Sequence, residues 1–280
     1  MLADCHMHMV LDGVDWKAAF ARHTPQPDIP WIRQRLAEYA QKGFTYLRDG
    51  GDHCGAGAAA AKIAPEYGIC YRTPLSPLCQ KGHYGAFIGT CYEDLREYAE
   101  LVEQTKMQGG NFIKIMISGL MDFDRFGVLT EPALSAAQIR ELIHIAHDAG
   151  LPVMAHANGA DAILAAAEAG VDSVEHGAYP STEALAAMAQ SGTVWVPTLS
   201  TIGNLRGKGR FSETAVRKIL DNAMARVAEF AAMGGIVAPG TDAGAWQVPH
   251  AVTSEYELLY QCGITNAQLA QGVQAIQKKF

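Results

Sequence analysis

Short apolar runs alternate with stretches of helical spacing along the whole chain, and this alternation constrains the fold more than any other feature. The runs Leu2–His8, Thr45–Asp49, Ile69–Thr73, Phe112–Ile117, Pro152–His156, Ser173–His176, Val194–Thr198 and Ile236–Thr241 read as strands. Between and after them, helices are predicted over Trp31–Gln41, Ala56–Ala64, Tyr92–Met107, Ala136–Ala149, Ala160–Ala169, Thr182–Gln190, Glu213–Met233, Val252–Gln261 and Asn266–Gln277. Several carry their own punctuation: Ser135, Ser181 and Ser212 stand where N-caps belong, and Gly150, Gly170, Gly192 and Gly234 where helices stop. Strand followed by helix, eight times over, predicts an α/β chain closed into a parallel (β/α)8 TIM barrel. A doubly wound open sheet is the competitor, but no Gly-x-Gly-x-x-Gly follows the first strand. The length of 280 residues suits such a barrel, which typically needs about 250. No linker, repeat or low-complexity stretch divides the chain, so residues 1–280 read as one domain.

Charge and cysteine usage exclude several classes. A net charge of -7 and the absence of any Lys/Arg-rich block argue against nucleic acid as a partner. No apolar run approaches the ~18 residues that a membrane span needs, and Asp4 and His6 interrupt any signal-like apolar region. The six cysteines are scattered without a Cys-x-x-Cys pair, which fits reduced thiols and a cytoplasmic enzyme.

In a barrel of this kind the active site lies where the strands end. Asp4-Cys5-His6-Met7-His8 puts two imidazoles two residues apart, so that on an extended strand His6 and His8 face one way and Cys5 and Met7 the other. That is half of a metal site, or simply a strand with two histidines. Lys114 lies inside the apolar run Phe112–Ile117, where a lysine is buried unless it snorkels out. A buried lysine that meets metal ions can be carboxylated by CO2, which turns a cation into an anion with two oxygens. His156 and His176 end successive strands, and Asp242 follows the last one, either as a carboxylate facing the axis or as a helix N-cap.

His-x-His on strand 1, Lys on strand 4, His on strands 5 and 6 and Asp on strand 8 together resemble the amidohydrolase superfamily of metal-dependent hydrolases. The motifs that carry the resemblance are Asp4–His8, Ile113-Lys114-Ile115, Met154-Ala155-His156-Ala157-Asn158-Gly159, Val174-Glu175-His176-Gly177 and Gly240-Thr241-Asp242-Ala243-Gly244. The segments around Lys114, His156 and His176 look most like the prolidase and imidazolonepropionase-like branch. The resemblance implies two divalent ions. His6, His8 and Asp242 would hold the more buried one, His156 and His176 the more exposed one, and a carbamate on Lys114 would bridge them. Zinc suits that donor set. It also implies a hydroxide activated between the ions as nucleophile, with Asp242 as general base and then general acid.

Residues flanking this set are candidates for contact with a small-molecule substrate. His83, in Lys81-Gly82-His83-Tyr84-Gly85, resembles the family's substrate-contacting Gly-His loop, and Tyr179 follows His176 closely. Arg206, Lys208 and Arg210 place cations in a loop after strand 7 and point to an anionic substrate group, unless that loop is simply solvated. His53, His144 and His147 read as non-catalytic, and His23 and His250 as solvated. Many members of the branch carry a β-sandwich built from flanking segments. Only five residues precede His6, so no sandwich is expected, and a homo-oligomer contact would replace its packing. The expected reaction is hydrolysis of an amide in a carboxylate-bearing substrate, such as an Xaa-Pro-like dipeptide or an N-acyl amino acid. Lactone or phosphoester hydrolysis on the same site is the alternative, and decarboxylation on one metal is disfavoured by Lys114.

Overall fold

A computed structural model describes residues 2–280 as a barrel of parallel strands wrapped by helices. Its strands are β1 (Leu2–Met7), β2 (Phe44–Asp49), β3 (Cys70–Arg72), β4 (Leu78–Gln80), β5 (Thr90–Tyr92), β6 (Ile113–Met116), β7 (Val153–Ala157), β8 (Ser173–His176), β9 (Val194–Val196) and β10 (Ile236–Val237). Two parallel ladders run β1-β2-β3 and β10-β9-β8-β7-β6-β4-β5. Backbone bonds close them into a ring. Cys5 N donates to Pro239 O at 2.8 Å and His8 N to Ala243 O at 2.8 Å, while Asn111 N donates to Thr73 O at 2.9 Å. The eight strands read from the sequence are all present, and β4 and β5 are additional, a short pair beside β6. Among the described residues there is no separate β-sandwich, and no helix is long and apolar enough to cross a membrane.

The last strand is shorter than its apolar run suggests. Pro239 has no N–H for a ladder, so β10 stops at Val237 and the chain continues beside β1 through single bonds. Gly240 is required by this approach, because a Cβ there would lie 2.9 Å from the His6 Cβ and 2.4 Å from Val196.

The helices form where the caps allow. Asp94 accepts from Glu97 N, so that helix spans Leu95–Met107 and leaves Tyr92 in β5, where the sequence reading had placed a helix. Ser135 and Gln138 make a reciprocal capping box on Ala136–Asp148. Ser181 and Ser212 cap Thr182–Ser191 and Glu213–Ala232. The short helices Trp16–Arg22 and Ser200–Gly203 were not anticipated. Apolar side chains of these helices and the outward faces of the strands form the main core, which includes Ile113, Ile115, Val153, Val174 and Leu142. Cys5 and Met7 are fully buried in two further apolar clusters. The alternating partners His6 and His8 therefore turn toward the barrel axis.

Candidate metal centre

Every residue singled out at a strand end reaches one cluster at the C-terminal mouth. His6 Nε2 and His8 Nε2 each lie 3.5 Å from Asp242 Oδ1. One donor atom from each of these three residues falls within 4.8 Å of the others, a spacing that suits a shared cation. The imidazoles form a row: ring centres are 5.4 Å apart for His8–His6, 5.0 Å for His6–His176 and 4.6 Å for His176–His156. Lys114 enters from β6, 1% exposed, and its charge bears on all four rings.

In three of the four rings, those of His6, His156 and His176, one nitrogen shows what fixes it. His6 Nδ1 pairs with Glu175 Oε2 at 2.7 Å, and Arg48 Nη2 donates to Glu175 Oε1 at 2.8 Å. Arg48 is itself locked by Nε donating to Cys5 O at 2.7 Å, and both charged residues are fully buried. His156 Nε2 meets Gly119 O and Asn158 Nδ2, both at 3.2 Å, which leaves Nδ1 for an ion. His176 Nδ1 meets Thr198 Oγ1 at 2.7 Å, which leaves Nε2. This is the outer ring of hydrogen bonds that orients metal-binding histidines. Asp4 performs the same service for Asp242: its carboxylate accepts from Thr241 N at 2.9 Å and Thr241 Oγ1 at 2.5 Å, which fixes the segment that presents Asp242. Asp242 and His176 have φ of 56° and 65°, left-handed values that non-glycine residues seldom adopt outside functional sites. The next helix starts only at Ser254, so Asp242 is not its N-cap.

The protonation balance of the cluster favours a cation ligand. Burial, reinforced by the Lys114 charge, lowers His8 to about 3 and His156 to about 3. His6 and His176 are pushed well down, first by burial and then by neighbouring cationic groups. The imidazoles are thus neutral Lewis bases at ordinary pH. Burial pushes Lys114 down and Asp242 up, each opposed by the other's charge. Among the described residues, His6 Nε2 and Lys114 Nζ are buried without a hydrogen-bond partner, and His8 Nε2 faces only Asp242. Buried polar atoms left unpaired are costly, and a set of them converging beside a carboxylate fits divalent cations.

The remaining candidates divide. His83 lies between β4 and β5, half-buried, with Nδ1 3.5 Å from Glu131 Oε1. Its neighbour Tyr84, which the sequence reading passed over, packs at a tilt against His156, 4.9 Å between ring centres. Tyr179 has φ 57°, packs on Phe126 at 5.4 Å, and keeps a buried hydroxyl without a partner. Arg206 and Arg210 are both exposed; Arg206 makes no ion pair among the described residues, and Arg210 lies 4.4 Å over the Trp246 ring and 5.2 Å over Phe211. His23 and His250 correct the sequence reading, because both are buried rather than solvated. His250 bridges Leu11 O and the Tyr39 hydroxyl, and His23 accepts from Asp28 N against the Trp31 ring. Glu175, Arg48 and Asn158 were missed as functional residues, although Glu175 and Asn158 stood inside quoted motifs.

A model of the amidohydrolase family matches residues 30–272. The chain belongs to the amidohydrolase family. Members of this family are hydrolytic enzymes and generally bind divalent metals. Among characterised relatives, ochratoxinase of Aspergillus niger is 25% identical over 276 residues, covering 86% of this chain and 57% of its own. An uncharacterized protein of Mycobacterium tuberculosis is 28% identical over 194 residues, covering 67% of this chain and 52% of its own. The chain therefore spans about half the length of the curated relatives it matches. Among solved structures, an Xaa-Pro dipeptidase with methionine in its active site superposes with a TM-score of 0.78 at 20% identity, over 99% of this chain and 75% of the other. A prolidase complexed with N-methylphosphonate-L-proline gives 0.71 at 22% identity, over 98% and 70%. These likenesses establish the fold of the chain.

Proposed function

We propose that this chain is a metal-dependent amidohydrolase that cleaves an amide bond in a small substrate carrying a carboxylate. The observation that carries the reading is the convergence of His6 Nε2 and His8 Nε2 on Asp242 at the barrel mouth, with the buried Lys114 Nζ finding no hydrogen-bond partner among the described residues. His6, His8 and Asp242 would hold one divalent ion and His156 and His176 a second. Lys114, as a carbamate, would offer one oxygen to each. Neutral imidazoles and carboxylates suit zinc. When bound, such ions would supply a water of lowered pKa and polarise the scissile carbonyl. Asp242 would serve as the general base and then the general acid of that chemistry, while Glu175 holds the His6 ring and Thr198 the His176 ring.

The carboxylate preference rests on the loop after β9. Arg210 has no carboxylate within ion-pair distance among the described residues, and its guanidinium carbon lies 4.4 Å from the centre of the Trp246 ring, four residues beyond Asp242. An unpaired guanidinium offers two parallel donors to a carboxylate. The proline compound in the prolidase neighbour is of that kind, and the names Xaa-Pro dipeptidase and ochratoxinase support hydrolytic substrates for this chain by analogy alone.

The test is a panel of Xaa-Pro dipeptides, N-acyl amino acids, their esters, lactones and a phosphotriester, assayed with zinc or manganese added. Metal-dependent turnover of a carboxylate-bearing amide is expected. Faster turnover of neutral lactones or phosphotriesters would overturn the substrate class, and turnover unaffected by complete metal removal would overturn the chemistry.

A further inference from the structure

The six cysteines take no part in the cluster at the mouth, yet two of them meet. Cys79 on β4 and Cys91 on β5 are partners in register, and their Sγ atoms are 3.1 Å apart. Neighbouring strands are spaced about 4.8 Å. That lies within the roughly 4.4–6.8 Å between Cα atoms that a disulfide spans. An S–S bond of about 2.05 Å therefore needs side-chain rotation and no movement of the ladder. Cys79 is fully buried and Cys91 partly exposed.

We propose that Cys79 and Cys91 are a dithiol–disulfide site whose oxidation pins the loop carrying His83 and Tyr84. This loop joins the two strands, and Cys79 lies directly beneath it. A Cβ added at Gly85, whose φ is +116°, would come within 3.0 Å of the Cys79 Cβ and 2.7 Å of Met116 Cγ. The residue before it is Tyr84, which rests on His156, and Tyr84 N donates to Glu131 Oε1 at 2.7 Å. The strands are already joined by Lys81 N donating to Tyr92 O and Thr90 N to Pro77 O, both at 2.8 Å. A covalent link at residues 79 and 91 would close this loop into a ring and reduce its freedom.

The oxidant is a low-molecular-weight disulfide such as oxidised glutathione. The accessible Cys91 thiolate attacks one of its sulfurs, and one glutathione thiolate leaves and takes up a proton. The Cys79 thiolate then attacks the Cys91 sulfur of the mixed disulfide and expels the second glutathione. The two cysteines together lose two electrons and two protons, and the oxidant gains both as two thiols. Burial, and then the adjacent Cys91 thiol, push Cys79 up, so the second step accelerates with rising pH.

The test equilibrates the folded full chain in glutathione buffers of stepped oxidised-to-reduced ratio, alkylates the remaining thiols and maps peptides by mass. The expected product is a Cys79–Cys91 cross-linked peptide that disappears with dithiothreitol. Backbone amides of residues 81–89 should exchange with deuterium several-fold more slowly in the cross-linked form. Cys79→Ser should stop at a stable glutathione adduct on Cys91, and Cys91→Ser should leave Cys79 unmodified. Absence of the cross-link at every ratio, or links to other cysteines or between chains, would overturn the site. Unchanged exchange in residues 81–89 would overturn the effect on the loop, and an adduct on Cys79 in Cys91→Ser would overturn the order of attack.

Discussion

His6 Nδ1 lies 2.7 Å from Glu175 Oε2, a buried contact between strands that are not neighbours in the ladder. The carboxylate selects the tautomer in which Nδ1 carries the proton, and so turns the Nε2 lone pair toward Asp242. Because the other Glu175 oxygen is held by Arg48, the imidazole is anchored to a buried ion pair. Glu175→Gln keeps the shape but loses the charge. Metal affinity should fall about 10–100-fold, as for other second-layer changes. Thermal stability should fall too, because Arg48 loses its buried counter-charge. A competing-chelator titration alongside thermal unfolding checks both. Unchanged affinity would mean that packing alone orients His6.

Asp242→Asn should leave the fold intact while cutting kcat by about 10²–10⁴-fold, the usual cost of a lost acid/base group. Asn is the right probe because it tolerates the left-handed backbone at this position better than most residues. Circular dichroism and kcat at saturating substrate separate the two effects. Unchanged kcat would assign Asp242 to packing.

Removing metal should destabilise the protein, whatever the substrate is. Stripping by a strong chelator leaves His6 Nε2 and Lys114 Nζ buried without a hydrogen-bond partner among the described residues, and His8 Nε2 facing only Asp242. Restoring zinc to about 100 times its Kd should return about 2.7 kcal/mol by mass action. A Tm that does not rise with added zinc or manganese would argue against a resident ion. Metal analysis should find close to two equivalents per chain, a count on the order expected for two ions sharing one carbamate.

Lys114→Ala should lose most activity, and short carboxylic acids should restore part of it by replacing the carbamate's oxygens between the ions. Mass spectrometry under native conditions should show the mass of bound CO2 on the wild type alone. Full activity in the alanine variant without added acid would remove the carbamate from the reading.

The barrel, and the residues that cluster at its mouth, were legible because both follow from local pattern. His156 closes an apolar run, Lys114 breaks one from inside, and His176 ends the next short strand before a glycine, which marks each strand as carrying something at or near its mouth end. β4 and β5 were not legible, since three residues each are too few to show a period. Glu175 and Arg48 are 127 residues apart, and only barrel closure brings their opposite charges together. The signal that could have found them is the one that flagged Lys114, a charge inside a buried strand. His250 was misread because its burial comes from Trp31 and Tyr39, on a helix more than 200 residues earlier in the chain, and His23 because its ring turns back against Trp31 of the helix that follows it.

Arg210, and not Arg206, should determine preference for a carboxylate. The sequence offers Arg206, Lys208 and Arg210 as equivalent cations in one loop, but only the Arg210 guanidinium is recorded against aromatic rings, those of Trp246 and Phe211. Contact with two rings restricts the guanidinium, so less freedom is lost when it binds a carboxylate. Phe211 packs in turn on Phe123 at 5.3 Å, which ties the platform to the loop after β6. Arg210→Gln should lower kcat/KM for a carboxylate-bearing amide by about tenfold or more, the worth of one charge-assisted hydrogen bond. The same change should leave the corresponding ester or amide nearly unaffected, and Arg206→Gln should alter neither. Equal losses on acid and ester would show that Arg210 supports the loop rather than the substrate. A loss confined to Arg206→Gln would move the carboxylate site to that residue.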